Sequence, residues 1–224
     1  MVDLSHIDAI IFDNDGVLVD SEVIHIAVER ELLAEMGLHY DDQTYVARFV
    51  GLSNADYFAA LAQDYLTLTG DKFPADFGDQ LRQRAWPRIE AELEAIPGVP
   101  ALVERFGKRT AVASSAVLPR LHHKLKLTDL FDLFDPHIYS SDHVTNGKPA
   151  PDLFLHAAAR MGVAPPRCLV IEDSVNGVKA GRRAEMLTAG FIGGGHVDEV
   201  HGQRLLDAGA HFVVNGHAEL EALF

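Results

Sequence analysis

Cysteine is almost absent from this chain of 224 residues, with Cys168 standing alone. A single thiol excludes an internal disulfide framework and suits a reducing compartment, so a cytoplasmic location is expected. Positive charge is also scarce: 19 Lys and Arg stand against 33 Asp and Glu, for a net charge of -14. A nucleic-acid partner takes a basic stripe and an anionic membrane surface takes basic clusters, so neither is expected. An anionic substrate stays open if the site supplies positive charge locally. No apolar run approaches the ~20 residues of a membrane span, and the first residues, Met1 to His6, lack the basic region of a signal peptide. No internal repeat or low-complexity segment stands out. What is present is ordinary for a globular protein, 48% apolar and 23% charged. The length suits one domain carrying an insertion, and a monomer is expected.

Two textures divide the chain. Short apolar runs recur at 8–12, 109–114, 168–172, 187–192 and 211–214, with Ile138-Tyr139 as a further candidate. Helical patterns lie between them, at 98–106, 117–127, 151–161, 175–184 and 202–208. Buried strands alternating with helices predict a parallel, Rossmann-like α/β sheet covered on both faces. Ligands then bind beyond the carboxyl ends of the strands. Residues 20–95 show helical periodicity and no strand run, which predicts an all-helical insertion between a core made of 1–19 and 96–224. Ser21 and Ser53 are its expected helix caps, Gly37 a stop, and Pro87 a point where the third helix should kink or split.

The chemistry begins where the first strand ends, in Phe12-Asp13-Asn14-Asp15-Gly16. Residues two apart in an extended segment point the same way, so Asp13 and Asp15 would face one pocket. Paired carboxylates favour either a bound cation or one raised pKa. An acidic turn explains the same residues without any chemistry. Val170-Ile171-Glu172-Asp173-Ser174 is a second acidic strand end. By itself it reads equally as negative charge answering a helix dipole. Strand ends of one parallel sheet converge, however, and two acidic ends together can hold a hard cation such as Mg²⁺ while leaving positions open for phosphate. Ser114 and Ser115 end another strand with hydroxyls and backbone amides suited to a phosphoryl oxygen, though a helix cap explains them too. Lys148, between Gly147 and two prolines, is either a surface lysine or a charge held in place to offset carboxylates and phosphate.

The ordered segments FDNDGVLVDSE, VASS, GKPAPDLF and IEDSVNGVKAG resemble the haloacid dehalogenase superfamily, in its phosphatase and beta-phosphoglucomutase-like branch with a helical cap. The resemblance covers nearly the whole chain. It implies a Mg²⁺-dependent phosphatase acting on a small phosphorylated metabolite, a sugar or sugar-acid phosphate, through an aspartyl-phosphate. Asp13 would be the nucleophile and Asp15 the general acid, then base. Ser114 would bind phosphate and Lys148 clamp charge. The metal would be held by Asp13, the Asp15 backbone carbonyl, Asp173 and Glu172, the last either directly or from behind. On this reading Asp13 is ionised and Asp15 protonated, so their surroundings should push the two pKa values apart. Ser115, His25, Gly51 and Asn54 are the substrate-binding candidates. The cap segment Phe49 to Asp56 lacks the basic residues that hold a second phosphate in the mutases, while His25 matches a mutase-like histidine. The 12 histidines otherwise read as surface residues, and Gly193-Gly194-Gly195 as a turn near the active-site face.

Overall fold

The computed structural model describes residues 2–49, 54–195, 197 and 200–224; of residues 42, 43, 46, 47, 54 and 55 only the backbone is described. The chain divides into two compact units: Met1–Glu22 with Leu93–Phe224, and Val23–Glu92.

The first unit is an α/β sheet built from the apolar runs. Its strands are β1 (Ala9–Phe12), β2 (Arg109–Ser114), β3 (Ile138–Ser140), β4 (Cys168–Glu172), β5 (Leu187–Phe191) and β6 (Phe212–Val214). They lie in the order β3-β2-β1-β4-β5-β6, and every pairing is parallel. This is the doubly wound order in which the winding reverses beside the first strand. Period-two alternation sends successive side chains of β1 to opposite faces. Ile10 and Phe12 join Val112, Leu121, Phe134 and Phe191 in one core layer. Ala9 and Ile11 join Ala111, Phe154, Val170 and Ala180 in the other. The central strands are therefore apolar on both faces through most of their length, which is why they read as continuous runs.

In chain order the helices are α1 (Ser21–Glu35), α2 (Asp42–Phe49), α3 (Asn54–Thr69), α4 (Phe77–Glu92), α5 (Val99–Phe106), α6 (Leu118–Leu127), α7 (Phe131–Phe134), α8 (Asp152–Met161), α9 (Val175–Arg183), α10 (His201–Asp207) and α11 (His217–Glu221). Leu102 of α5, Leu121 and Leu125 of α6 and Leu220 of α11 cover the first face. Phe154 and Ala157 of α8 and Ala180 of α9 cover the second. No helix among the described residues is long and apolar enough to cross a membrane.

Helices are the only regular elements among the described residues of the second unit, which differs from expectation in two places. Helix α4 runs unbroken through Pro87. Ala85 and Ile89, on either side of the proline, are fully buried, so packing carries the helix across the missing hydrogen bond. Helix α2 has no counterpart among the expected helices; Asp41 starts it by accepting a hydrogen bond from the Thr44 amide at 2.7 Å. Ser21, in the first unit, opens α1, and its hydroxyl donates to the Asp15 carboxylate, a tertiary contact. Ser53 lies outside the described residues.

Candidate active site

The site is built on the carboxyl ends of β1, β2 and β4, the three central strands. The Asp13 amide donates to the Ile171 carbonyl at 2.9 Å, continuing the parallel ladder one residue past β1. That bond holds Asp13 beside the end of β4. The chain then turns at once. Gly16 takes a left-handed φ of 78°, a conformation open to glycine at little cost. The Asn14 carbonyl accepts from the amides of Leu18 and Val19 at 2.8 and 3.1 Å, closing the turn.

Lys148 sits at the centre of the cluster. Its Nζ donates to Asp13 Oδ1 at 2.6 Å, to Glu172 Oε1 at 2.6 Å and to the Ala113 carbonyl at 2.9 Å. All three ammonium hydrogens are therefore accounted for, and the side chain is only 4% exposed. The other oxygen of Glu172, Oε2, accepts from the Ser174 amide at 2.9 Å and the Ser174 hydroxyl at 2.8 Å. The Ser174 hydroxyl in turn caps α9, accepting from the Gly177 amide. A Cβ at Gly177 would lie 1.7 Å from Glu172 Oε1, so glycine is required there to make room for the carboxylate.

Asp13, Glu172 and Asp173 are all buried, and each offers an oxygen within 4.8 Å of the others. Three carboxylates against one ammonium leave negative charge uncompensated in a buried place. An oxygen-rich, net-negative cluster of this kind fits a hard divalent cation. Burial pushes the Asp13 carboxyl up, and Glu172, Asp173 and Asp15 reinforce the rise against the pull of Lys148. Burial likewise pushes Asp173 up, with the charges of Glu172 and Glu22 adding to it. Burial works against the charge of Lys148, but Asp13 and Glu172 outweigh it and hold its pKa above the ordinary lysine value.

Asp15 behaves differently because of a residue that the sequence reading passed over. Lys124, on α6, is 6% exposed and forms an ion pair with Asp15 Oδ1. Burial alone would raise Asp15, but the charge and hydrogen bond of Lys124, with the hydroxyl of Ser21, hold it below the usual carboxylate range. The surroundings thus push the two aspartates apart, Asp13 up and Asp15 down. A signal for Lys124 was available. It stands three residues after buried Leu121 and one before buried Leu125, on the inward face of an amphipathic helix.

The remaining candidates separate. Ser114 ends β2 with its side chain buried, accepting from the Ala116 amide at 3.1 Å. Ser115 is exposed, and its carbonyl accepts from the Ser141 hydroxyl. Among the described residues no hydrogen bond ties the Ser115 side chain to the carboxylates. His25 lies on α1 in the helical unit, half-buried. Gly51 falls outside the described residues, as does the side chain of Asn54. In the glycine turn, the Gly195 amide donates to the Asp20 carboxylate at 3.2 Å. His201 Nε2 meets the Asp173 carbonyl at 2.6 Å, a contact with no counterpart in the sequence reading.

Known proteins are similar to this chain. Fructose-1-phosphate phosphatase YqaB of Escherichia coli is 33% identical over 182 residues, covering 79% of this chain and 92% of the relative. The 6-phosphogluconate phosphatase of Escherichia coli is 30% identical over 183 residues, covering 82% and 81% respectively. A haloacid dehalogenase family hydrolase from Deinococcus radiodurans R1, solved with bound phosphate and sodium, superposes with a TM-score of 0.81 at 36% identity over 98% of each chain. The family model for haloacid dehalogenase-like hydrolases matches residues 7–185, a span holding every residue of the carboxylate cluster together with both buried lysines. With that match joined to the doubly wound sheet and its acidic strand ends, this chain belongs to the haloacid dehalogenase-like hydrolases.

Proposed function

We propose that the chain is a Mg²⁺-dependent phosphatase that hydrolyses a small sugar or sugar-acid phosphate through an aspartyl-phosphate on Asp13. The observation that carries this reading is Lys148, buried and bonded to both Asp13 and Glu172. That contact puts fixed positive charge beside a carboxylate at a strand end, where a phosphoryl group needs both a nucleophile and a counter-charge. The names of the two Escherichia coli relatives support the substrate class.

Asp13, Asp173 and the Asp15 backbone carbonyl would hold the metal. Glu172 accepts from Lys148 on one oxygen and from Ser174 on the other, and in this reading it fixes Lys148 and supports the metal site from behind. Mg²⁺ held there would supply charge neutralisation to the phosphoryl group. The Asp13 carboxylate attacks phosphorus, the phosphorus–oxygen bond to the alcohol breaks, and Asp15 passes its proton to the leaving oxygen. Water then attacks the aspartyl-phosphate, Asp15 takes the proton, and inorganic phosphate leaves with the Asp13 carboxylate restored. A phosphate dianion arriving beside Asp15 raises its pKa by like charge, favouring the protonated form that the first step needs. Lys148 and the backbone amides after Ser114 stabilise the charge spread over the phosphoryl oxygens. The helical unit would act as a cap that excludes water from the phosphoenzyme, with His25 and Asn54 as candidate specificity residues.

The test is release of inorganic phosphate from a panel of phosphorylated sugars and sugar acids. Turnover should vanish with EDTA and return with Mg²⁺. Full activity in EDTA sinks the metal-dependent reading. Conversion of a hexose 1-phosphate to the 6-phosphate, dependent on a bisphosphate primer, would place the chain among mutases instead.

A further inference from the structure

The phosphatase reading gives roles to Asp13, Asp15, Ser114, Lys148, Glu172 and Asp173 and leaves a second buried lysine unassigned. Lys124 lies 109 residues from Asp15 in the chain, and its side chain is 7% exposed against 22% for Asp15. Its Nζ donates to Asp15 Oδ1, and it also donates to the Ser21 hydroxyl at 3.4 Å. The Ser21 hydroxyl donates to the same Oδ1. Two donors from different elements, one on α6 and one at the start of α1, thus converge on one oxygen of one carboxylate.

A lysine is almost never buried without a partner, because its ammonium is costly to remove from water. The position itself has no need of charge. Leu121 and Leu125 beside it pack in the core, and an apolar side chain at 124 would pack there without a desolvation cost. The charge is explained by what it grips. With Oδ1 held by both donors, rotation of the carboxylate about its bond to the β-carbon is restrained, and Oδ2 is the oxygen that neither donor engages. The same helix follows directly from the Ser114 strand end, so α6 links the phosphate-binding end of β2 to the acid/base group.

We infer that Lys124 is a positioning residue for Asp15: with Ser21 it clamps Oδ1 and so aims Oδ2 at the leaving-group oxygen. The inference rests on the phosphatase reading and adds to it a residue that touches neither metal nor phosphate. Misaiming a proton donor matters only where the leaving group needs the proton.

The experiment compares wild type, Lys124→Met and Asp15→Asn on a series of phosphate esters whose alcohols span a wide range of pKa. Lys124→Met should lower kcat for alkyl phosphates on the order of 100-fold while KM stays within about threefold. For an aryl phosphate with a good leaving group, the burst of alcohol in the first turnover should fall less than about threefold. The dependence on leaving-group pKa should therefore steepen toward that of Asp15→Asn. An equal loss on every ester, no loss, or a gain would overturn the inference and leave Lys124 with a packing role. If Lys124→Met does not fold, Lys124→Gln and Ser21→Ala decide by the same slope, and a wild-type slope in both overturns it. A wild-type chain that releases no phosphate from any ester removes the phosphatase reading as well, whereas an active wild type with an unchanged Lys124→Met slope removes only the role of Lys124.

Discussion

The two units handle charge in opposite ways. In the helical unit the ion pairs lie in solvent: Arg84 with Glu35, at 46% and 58% side-chain exposure, and Arg88 with Glu31, at 34% and 63%. In the sheet unit the pairs at the strand ends are buried: Lys148 with Asp13, at 4% and 11%, and Lys148 with Glu172, at 4% and 0%. Every buried polar or charged residue among those described belongs to the sheet unit. Exposed pairs contribute little to stability, because water screens them and long side chains must be ordered to make them. Buried pairs are costly to break, because the partner left behind has no water to turn to. Polar groups that carry chemistry are therefore concentrated where the sheet converges, and the helical unit is held by its apolar anchors, Leu32, Leu33, Leu61, Phe77 and Ile89.

Four substitutions test that division. The largest effect should come from Asp13→Asn, which removes the nucleophile and should lower turnover by about 10⁴-fold or more. Acid-quenched wild-type enzyme should carry phosphate label on Asp13, and label on any other residue would break the assignment. Next is Lys148→Met, which leaves Asp13, Glu172 and Asp173 buried without their ammonium. It should cost about 3–5 kcal/mol in denaturant unfolding and abolish activity. A stable, active Lys148→Met would show that the buried charges do not depend on one another.

Gly177→Ala tests the support behind the cluster. The new Cβ would stand 1.7 Å from Glu172 Oε1, so the carboxylate must move and loosen its hold on Lys148. The expected loss is about 1–3 kcal/mol of stability, measured by the same unfolding transition, with a fall in kcat. The smallest effect is expected from Arg84→Ala in the helical unit. It should leave both the unfolding midpoint and the turnover within measurement error. A loss there as large as that of Lys148→Met would end the contrast between the units.

The expectations drawn from local pattern fared unevenly, for reasons visible in particular residues. The run Cys168–Glu172 is fully buried on both faces and has no helical period to confuse it, so its strand was legible. The pairing of two acidic strand ends was legible for a related reason, since parallel strands converge at their carboxyl ends whatever lies between them. The start of α2 has only a brief signal in the sequence, Asp41-Asp42. Pro87 does not split α4, whose Ala85 and Ile89 are buried on either side of it.

What the sequence by itself determined is the alternation of apolar runs and helical segments, the acidic residues that end β1 and β4, and the glycine that turns the chain at position 16. These depend on neighbours a few residues away, through periodicity, backbone sterics and the alternation of side chains. Only the tertiary structure decided which charges meet. Lys148 reaches Asp13 across 135 residues and Lys124 reaches Asp15 across 109. It also decided that Glu172 accepts hydrogen bonds on both oxygens, and that Asp13 rises while Asp15 falls. A pKa is set by burial and by charges a few ångströms away in space, and the distance along the chain between two such charges carries no information about either.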